Sequence, residues 1–209
     1  MLKKLKRILV KVYHCFQQKK YGYLDATAFV SRKAQIVGKN NVYLYEHTNI
    51  SQGTIIHAGS AKFIMKKWSG AASNLIVSTG NHIQVVGKWG KEITQDDKML
   101  YDSNSTSSGD VLVEEDVWLA SNVTLMPGVT IGRGAIIGAG SVVRKSVPPY
   151  AIVIGNPSKI IGFVFIPEEI IEHEKVLYPE EERLSLELLE RNYDKFFRKR
   201  TKEIVHYLK

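Results

Sequence analysis

The chain has 209 residues, 44% of them hydrophobic and 24% charged, with a formal net charge of +8. That composition suits a folded globular protein and excludes disorder throughout, while the single cysteine, Cys15, excludes a disulfide framework within the chain. No apolar run approaches the roughly 18 residues that span a bilayer, and residues 1–20 lack the apolar run and cleavage site of a signal peptide. A cytoplasmic location is expected.

The charge is unevenly placed. Residues 1–20 hold seven basic and no acidic residues, which leaves +1 on everything after them. The high isoelectric point therefore belongs to a tail, and nucleic-acid binding by the body is not expected. In that tail Leu2, Leu5, Leu9, Val12, Tyr13 and Phe16 recur at helical spacing, which predicts an amphipathic helix over 2–18. Its wholly cationic polar face suits either docking on the body or peripheral contact with an anionic membrane, at the inner face.

Residues 21–166 carry a different period. Early in this stretch the pairs Val30/Ala34 and Ile36/Asn40 stand in a six-residue register. The register slips by two and resumes at Leu44/Thr48, Ile50/Thr54 and Ile56/Ser60. Residues 63–80 are compatible with it, and residues 83–110 interrupt it with Gly, Ser, Asn and Asp, which predicts a long external loop. From Val113 the period is unbroken through Leu119, Leu125, Ile131, Ile137 and Val143. Four residues after each come Val117, Val123, Val129, Ala135, Ser141 and Val147. Six residues turn an α-helix by about 600°, so no helical face can keep this stripe. A six-residue repeat points to a parallel β-helix, one short strand and one corner per hexad.

From Pro167 the chain becomes dense in Glu, Lys and Arg. A helix is predicted near 168–176, a break at Tyr178-Pro179, and one further helix over 186–207 carrying Leu189, Tyr193, Phe196, Phe197 and Ile204. With nine basic and eleven acidic residues, 167–209 reads as a packing extension.

The stretch VLVEEDVWLASNVTLMPGVTIGRGAIIGAGSVVRKSVPPYAIVIGNPSKII, residues 111–161, resembles the end of the hexapeptide-repeat acyltransferases. It is most similar to capsular and lipopolysaccharide O-acetyltransferases and to galactoside and maltose acetyltransferases. The resemblance implies an all-β core, a left-handed parallel β-helix, a homotrimer, and acetyl-CoA as co-substrate with no metal. It implies acetyl transfer to a hydroxyl of a sugar or a bacterial surface-polysaccharide precursor. An antibiotic-type xenobiotic O-acetyltransferase and a non-enzymatic trimeric scaffold are the competing readings.

Such a transfer needs a group to accept the hydroxyl proton, and histidine suits that role near neutral pH. Of six histidines, His82 in Ser-Thr-Gly-Asn-His stands where the family motif has its catalytic base, with Asn81 beside it on the acceptor side. The resemblance likewise assigns Trp118 to the wall of the cleft and Ser121 to the oxyanion. Small Ala120, Gly138 and Ala139 would let coenzyme A lie close to the backbone. Arg144, Lys145 and Lys159 would meet its phosphates, although family members often have Thr-Lys in place of Arg144-Lys145. Glu46, His47 and Asn49 are expected to face the acceptor sugar, and Trp89, between Lys88 and Lys91, to cover it. No histidines are spaced for the three-histidine zinc site found on the same fold in carbonic anhydrases.

Overall fold

The computed structural model describes residues 18–102 and 107–208. The predicted helix over 2–18 therefore lies outside the described residues, apart from its last one.

The body is a parallel β-helix with three sheets and five full coils. The first coil is β1 (Tyr23–Leu24), β2 (Phe29–Val30) and β3 (Gln35–Val37); the second is β4 (Val42–Leu44), β5 (Asn49–Ile50) and β6 (Ile55–His57). The third is β7 (Phe63–Met65), β8 (Gly70–Ala71) and β9 (Ile76–Ser78). After the interruption come β10 (Val111–Val113), β11 (Trp118–Leu119) and β12 (Thr124–Leu125), then β13 (Thr130–Ile131), β14 (Ile136–Ile137) and β15 (Val142–Val143). The first strand of each coil joins one sheet, the second strand another and the third strand the last. We call these sheets A, B and C.

Period two within each short strand turns one residue inward and its neighbour outward. The inward residues stack coil on coil in three ladders. Sheet A stacks Leu24, Leu44, Met65, Val113 and Ile131. Sheet B stacks Val30, Ile50, Ala71, Leu119, Ile137 and Val153. Sheet C stacks Ile36, Ile56, Val77, Leu125 and Val143. From the second coil onward these side chains are almost wholly buried. The six-residue stripe of the sequence is thus the lining of the prism.

The second inward position of each hexad lies at a corner, where Val117, Val123, Val129, Ala135, Ser141 and Val147 are all buried as expected. Where it is polar, the hydroxyl bonds to the backbone. Thr48 donates to the Tyr45 carbonyl at 2.8 Å and Ser141 to that of Gly138 at 2.6 Å. Thr54 is the exception, fully buried with no partner for Oγ1 among the described residues. Asn40 and Ser60, expected inward by the same count, are exposed. Extra residues lengthen both corners, at the 3₁₀ turn Lys39–Asn41 and at 57–62, and carry these side chains off the repeat.

Beyond the fifth coil, β16 (Ala151–Ile154) continues sheet B in parallel, and β17 (Lys159–Phe163) then returns antiparallel to it. The helices α2 (Pro167–Leu177), α3 (Leu186–Phe196) and α4 (Thr201–Ile204) follow. The single helix predicted over 186–207 is in fact broken at Phe197, whose φ and ψ of −125° and −70° leave the helical region. The Phe197 ring packs on Tyr193, centroids 5.2 Å apart, and the redirected chain buries Ile204 completely.

A buried charge network clamps this extension to the coils. Glu174 on α2, with no exposed surface, accepts from Arg133 at 3.2 Å, from the Tyr150 hydroxyl at 3.0 Å and from the Leu184 N–H at 2.6 Å. Arg133 also faces Glu115, and its guanidinium lies 3.8 Å from the centroid of the Tyr178 ring. Burial raises the Tyr178 phenol to about 12 despite the opposing pull of Arg133. Glu174→Ala should cost about 3 kcal/mol, near the lower end for breaking a buried pair because Glu115 still faces the guanidinium. Thermal melts with amide exchange, reading early opening of 167–208, check this. Thr54→Val should stabilise by about 1 kcal/mol, since it removes an unpaired buried hydroxyl at constant volume, as a denaturant titration would measure.

Candidate functional site

The sheets meet at three edges, and the sequence-predicted site residues divide among them. Asn81 and His82 follow β9 at the edge where sheet C passes to sheet A, with Arg144 and Lys145 two coils further on. Glu46 and His47 lie at the edge from A to B. Ala120, Ser121, Gly138 and Ala139 lie at the edge from B to C, on successive coils. Asn49 and Trp118 stand on the outer face of sheet B, separated in its ladder by Gly70. A single chain does not gather these groups at one point.

His82 sits where the excursion leaves the coils. Its neck is a two-stranded crossing: Gly80 bridges Ser108, the Asn81 N–H donates to the Ser107 carbonyl at 2.7 Å, and the Gly109 N–H donates to Thr79 at 3.0 Å. This neck holds the backbone on either side of an exposed His82. The excursion, expected to be an external loop without structure of its own, contains α1 (Gln95–Asp102). Thr94 and Asp97 cap it reciprocally, Asp97 accepting from the Thr94 N–H at 2.8 Å and Thr94 Oγ1 from the Asp97 N–H at 3.2 Å. The Thr-x-x-Asp spacing was the sequence signal for that helix start. Lys88 bonds Asp97 at 2.6 Å and so braces the excursion internally, while Trp89 is 80% exposed.

On the B-to-C edge, small residues leave the backbone open. No described residue accepts from the N–H of Ser121 or of Ala139, although the neighbouring Ala120 and Gly138 N–H groups bond to Ile137 and Val153. Trp118 points outward, half exposed, and its ring lies beside Gly70, where a Cβ would come within 3.2 Å of it. Lys159 reaches toward the Tyr207 ring, 5.8 Å away, and Arg144 and Lys145 are exposed.

The acceptor-side expectations separate as well. The His47 ring stacks on Trp68 at 3.9 Å, and both residues have positive φ, 57° and 64°, at successive corners. The Asn49 amide is held by the Ser51 hydroxyl and the Ala71 carbonyl. Glu46 opens instead on a cavity of about 640 Å³ outside sheet A, with Tyr45, Lys66, Lys67 and Arg133. A second cavity, about 490 Å³, adjoins the excursion and includes Asn81. Sequence reasoning named neither cavity. Among the described residues no group of three or more His, Cys, Asp or Glu is arranged to hold a metal.

Residues 110–145 match the family described as bacterial transferase hexapeptide, six repeats. The chain carries the hexapeptide repeat. No curated protein sequence matches the chain. Among solved structures, a hexapeptide-repeat acetyltransferase of Vibrio cholerae O1 biovar eltor, complexed with acetyl coenzyme A, superposes with a TM-score of 0.60 at 22% identity, covering 72% of this chain and 75% of that one. A maltose O-acetyltransferase of Clostridium difficile 630 gives 0.58 at 24% identity over 72% and 74% of the two chains. A mutant of AntD, an N-acyltransferase from Bacillus cereus in complex with dTDP and coenzyme A, gives 0.56 at 19% identity over 78% and 94%. The likeness is one of fold.

The Asp97 carboxyl is lowered to about 2, chiefly by its bond from Lys88 and then by those from Thr94. A depressed carboxylate stabilises above its unfolded value near 4 and loses that effect only as pH falls through the folded value. The excursion should therefore keep its frame throughout pH 5–9. Asp97→Asn should speed proteolytic cleavage within 83–102 at neutral pH and leave the melting of the β-helix unchanged.

Proposed function

We propose that the chain is an acetyl-CoA-dependent O-acetyltransferase acting on a hydroxyl of a sugar or of a surface-polysaccharide precursor, and that it works as a homotrimer with sites shared between subunits. The observation that carries the reading is the backbone neck at Gly80–Ser108, which fixes an exposed His82 at the root of the excursion. Support comes also from the hexapeptide match over 110–145 and from coenzyme A in the structures of two relatives in fold.

In this reading the His82 imidazole takes the hydroxyl proton as the oxygen attacks the thioester carbonyl. The N–H of Ser121, without an acceptor among the described residues, is a donor for the oxyanion of the tetrahedral intermediate. The imidazolium then returns its proton to the departing thiolate, so the transfer is direct and leaves the enzyme unchanged. The B-to-C corners fit coenzyme A in one testable respect: Ser121 and Ala139 offer N–H donors with no acceptor among the described residues and little side chain above them. Trp118 would wall the same cleft.

The distribution of these groups supports the trimer. His82 and the Ser121–Ala139 corners lie on different edges of one prism, so a neighbouring subunit is needed to bring one beside the other. A protein fully active as a monomer in sedimentation would exclude this arrangement.

His82→Ala should lower turnover about 10²–10⁴-fold, the usual contribution of a positioned acid–base group. Acetyl-CoA affinity, read by calorimetry, should change little because the proposed binding corners are intact. Near-normal turnover in the variant would remove His82 from the chemistry. Absence of any coenzyme A binding by the wild type would favour the scaffold reading instead.

A further inference from the structure

Every change of length in the coils occurs at one edge. Within a coil, successive inward residues are always six apart, as in Leu24, Val30 and Ile36 or Met65, Ala71 and Val77. From sheet C to the next sheet A the step is eight residues from Ile36 to Leu44, nine from Ile56 to Met65 and thirty-six from Val77 to Val113. It returns to six from Leu125 to Ile131. Two of these insertions are neighbours in space, 57–62 and the excursion.

The cavity of about 490 Å³ lies between those two insertions. Gly59 and Ser60 come from the shorter one, and every other residue of the lining, Asn81, Gln95 and Lys98 among them, comes from the excursion. No inward residue of a ladder lines it. Its volume falls within the range of small-molecule sites, roughly 300–1,000 Å³. A cavity made wholly of residues that the repeat does not require is not a by-product of coiling.

The chemistry of the lining is selective. Amides of Asn81 and Gln95 and the hydroxyl of Ser60 offer both donors and acceptors, the complement of a polyhydroxylated ligand. Lys98 is the one charged side chain in this lining, part-buried on α1, and it makes no ion pair among the described residues. Among the described side chains, the nearby acidic groups are engaged elsewhere or lie outside the lining. Asp97 is held by Lys88 and Thr94, Asp110 accepts from the Lys62 N–H at 2.8 Å, and Asp96 does not line the cavity. A part-buried ammonium among neutral polar groups, with no ion-pair partner among the described residues, favours an anionic partner.

We propose that this cavity is the acceptor pocket and that it takes a sugar bearing an anionic group, a carboxylate or a phosphate ester, with Lys98 determining that preference. The proposal rests on the acetyl-transfer reading for the word acceptor. Asn81 ties it to the candidate base, since it lines the cavity and directly precedes His82. The sugar hydroxyls meet the amides, and the anion meets the ammonium.

Binding separates this proposal from the reaction. Calorimetric titration of the full-length protein with methyl glucoside, glucuronic acid and glucose 6-phosphate compares a neutral sugar with the two sources of charge. At least one acid should bind about tenfold more tightly than the neutral sugar. Lys98→Met, which keeps the apolar stem, should bring that ratio to near one, and Lys98→Arg should restore it. Coenzyme A affinity should be equal in all three proteins, as a check that the fold is intact. Equal binding of all three sugars, a preference that survives in Lys98→Met, or no binding of either acid at millimolar concentration overturns the proposal. If the acids bind through Lys98 yet no acetyl group is transferred to any hydroxyl, the ligand class stands and the acetyltransferase reading falls.

Discussion

The structure depends on one constraint: an inward side chain must meet another inward side chain one coil above and one coil below. Each strand of the five coils contributes only two or three residues, too few to be stable alone. Its stability comes from the ladders of sheets A, B and C, where burial is nearly complete from the second coil onward. A one-residue slip within a coil would turn an entire strand inside out. The chain therefore tolerates extra residues only where two coils are joined, and here that junction is always the edge from sheet C to sheet A.

This constraint divides the molecule into a part that must repeat and a part that need not. Residues Val113–Val143 belong to the first, with corners kept short and backbone donors exposed at Ser121 and Ala139. The excursion belongs to the second. It leaves after Thr79, is braced internally by Lys88, Thr94 and Asp97, and returns so that Val111 pairs with Phe63 as though nothing intervened. In the proposed reaction, the repeating part would hold the donor chemistry and the inserted part the selectivity for the acceptor. The Arg133–Glu174 clamp serves neither; it anchors the helical extension to the fourth and fifth coils.

How much of this was legible in the sequence follows from the same division. Val113 to Val143 kept their period without a break, and all six are inward. The earlier coils were harder to read because small residues, Gly70 and Ala71, stand in strand β8 and because two joints carry two or three extra residues. Asn40 and Ser60 were miscounted as inward for that reason. The helix over 95–102 is eight residues long and mostly polar, so its stripe is weak, and only the Thr94/Asp97 cap announces it. The break at Phe197 arises from packing against Tyr193 and from the burial of Ile204, which no local pattern encodes. His82 stood out because of its motif. Lys98 did not, since its significance comes from the company of Ser60, thirty-eight residues away in sequence.

Strand β17 has one further consequence. A parallel coil ends in an unfilled row of backbone donors and acceptors, and a second molecule of the same kind would match it in register. Here β17 turns back antiparallel along β16, and the shift between Ile152 and Val153 spoils the even spacing that another parallel strand would need. The helices that follow are fastened over the last coils through Glu174. The final strand of sheet B therefore offers no template for growth along the axis. On this sheet, a second molecule stacked end to end would meet an antiparallel strand instead of a matching parallel edge.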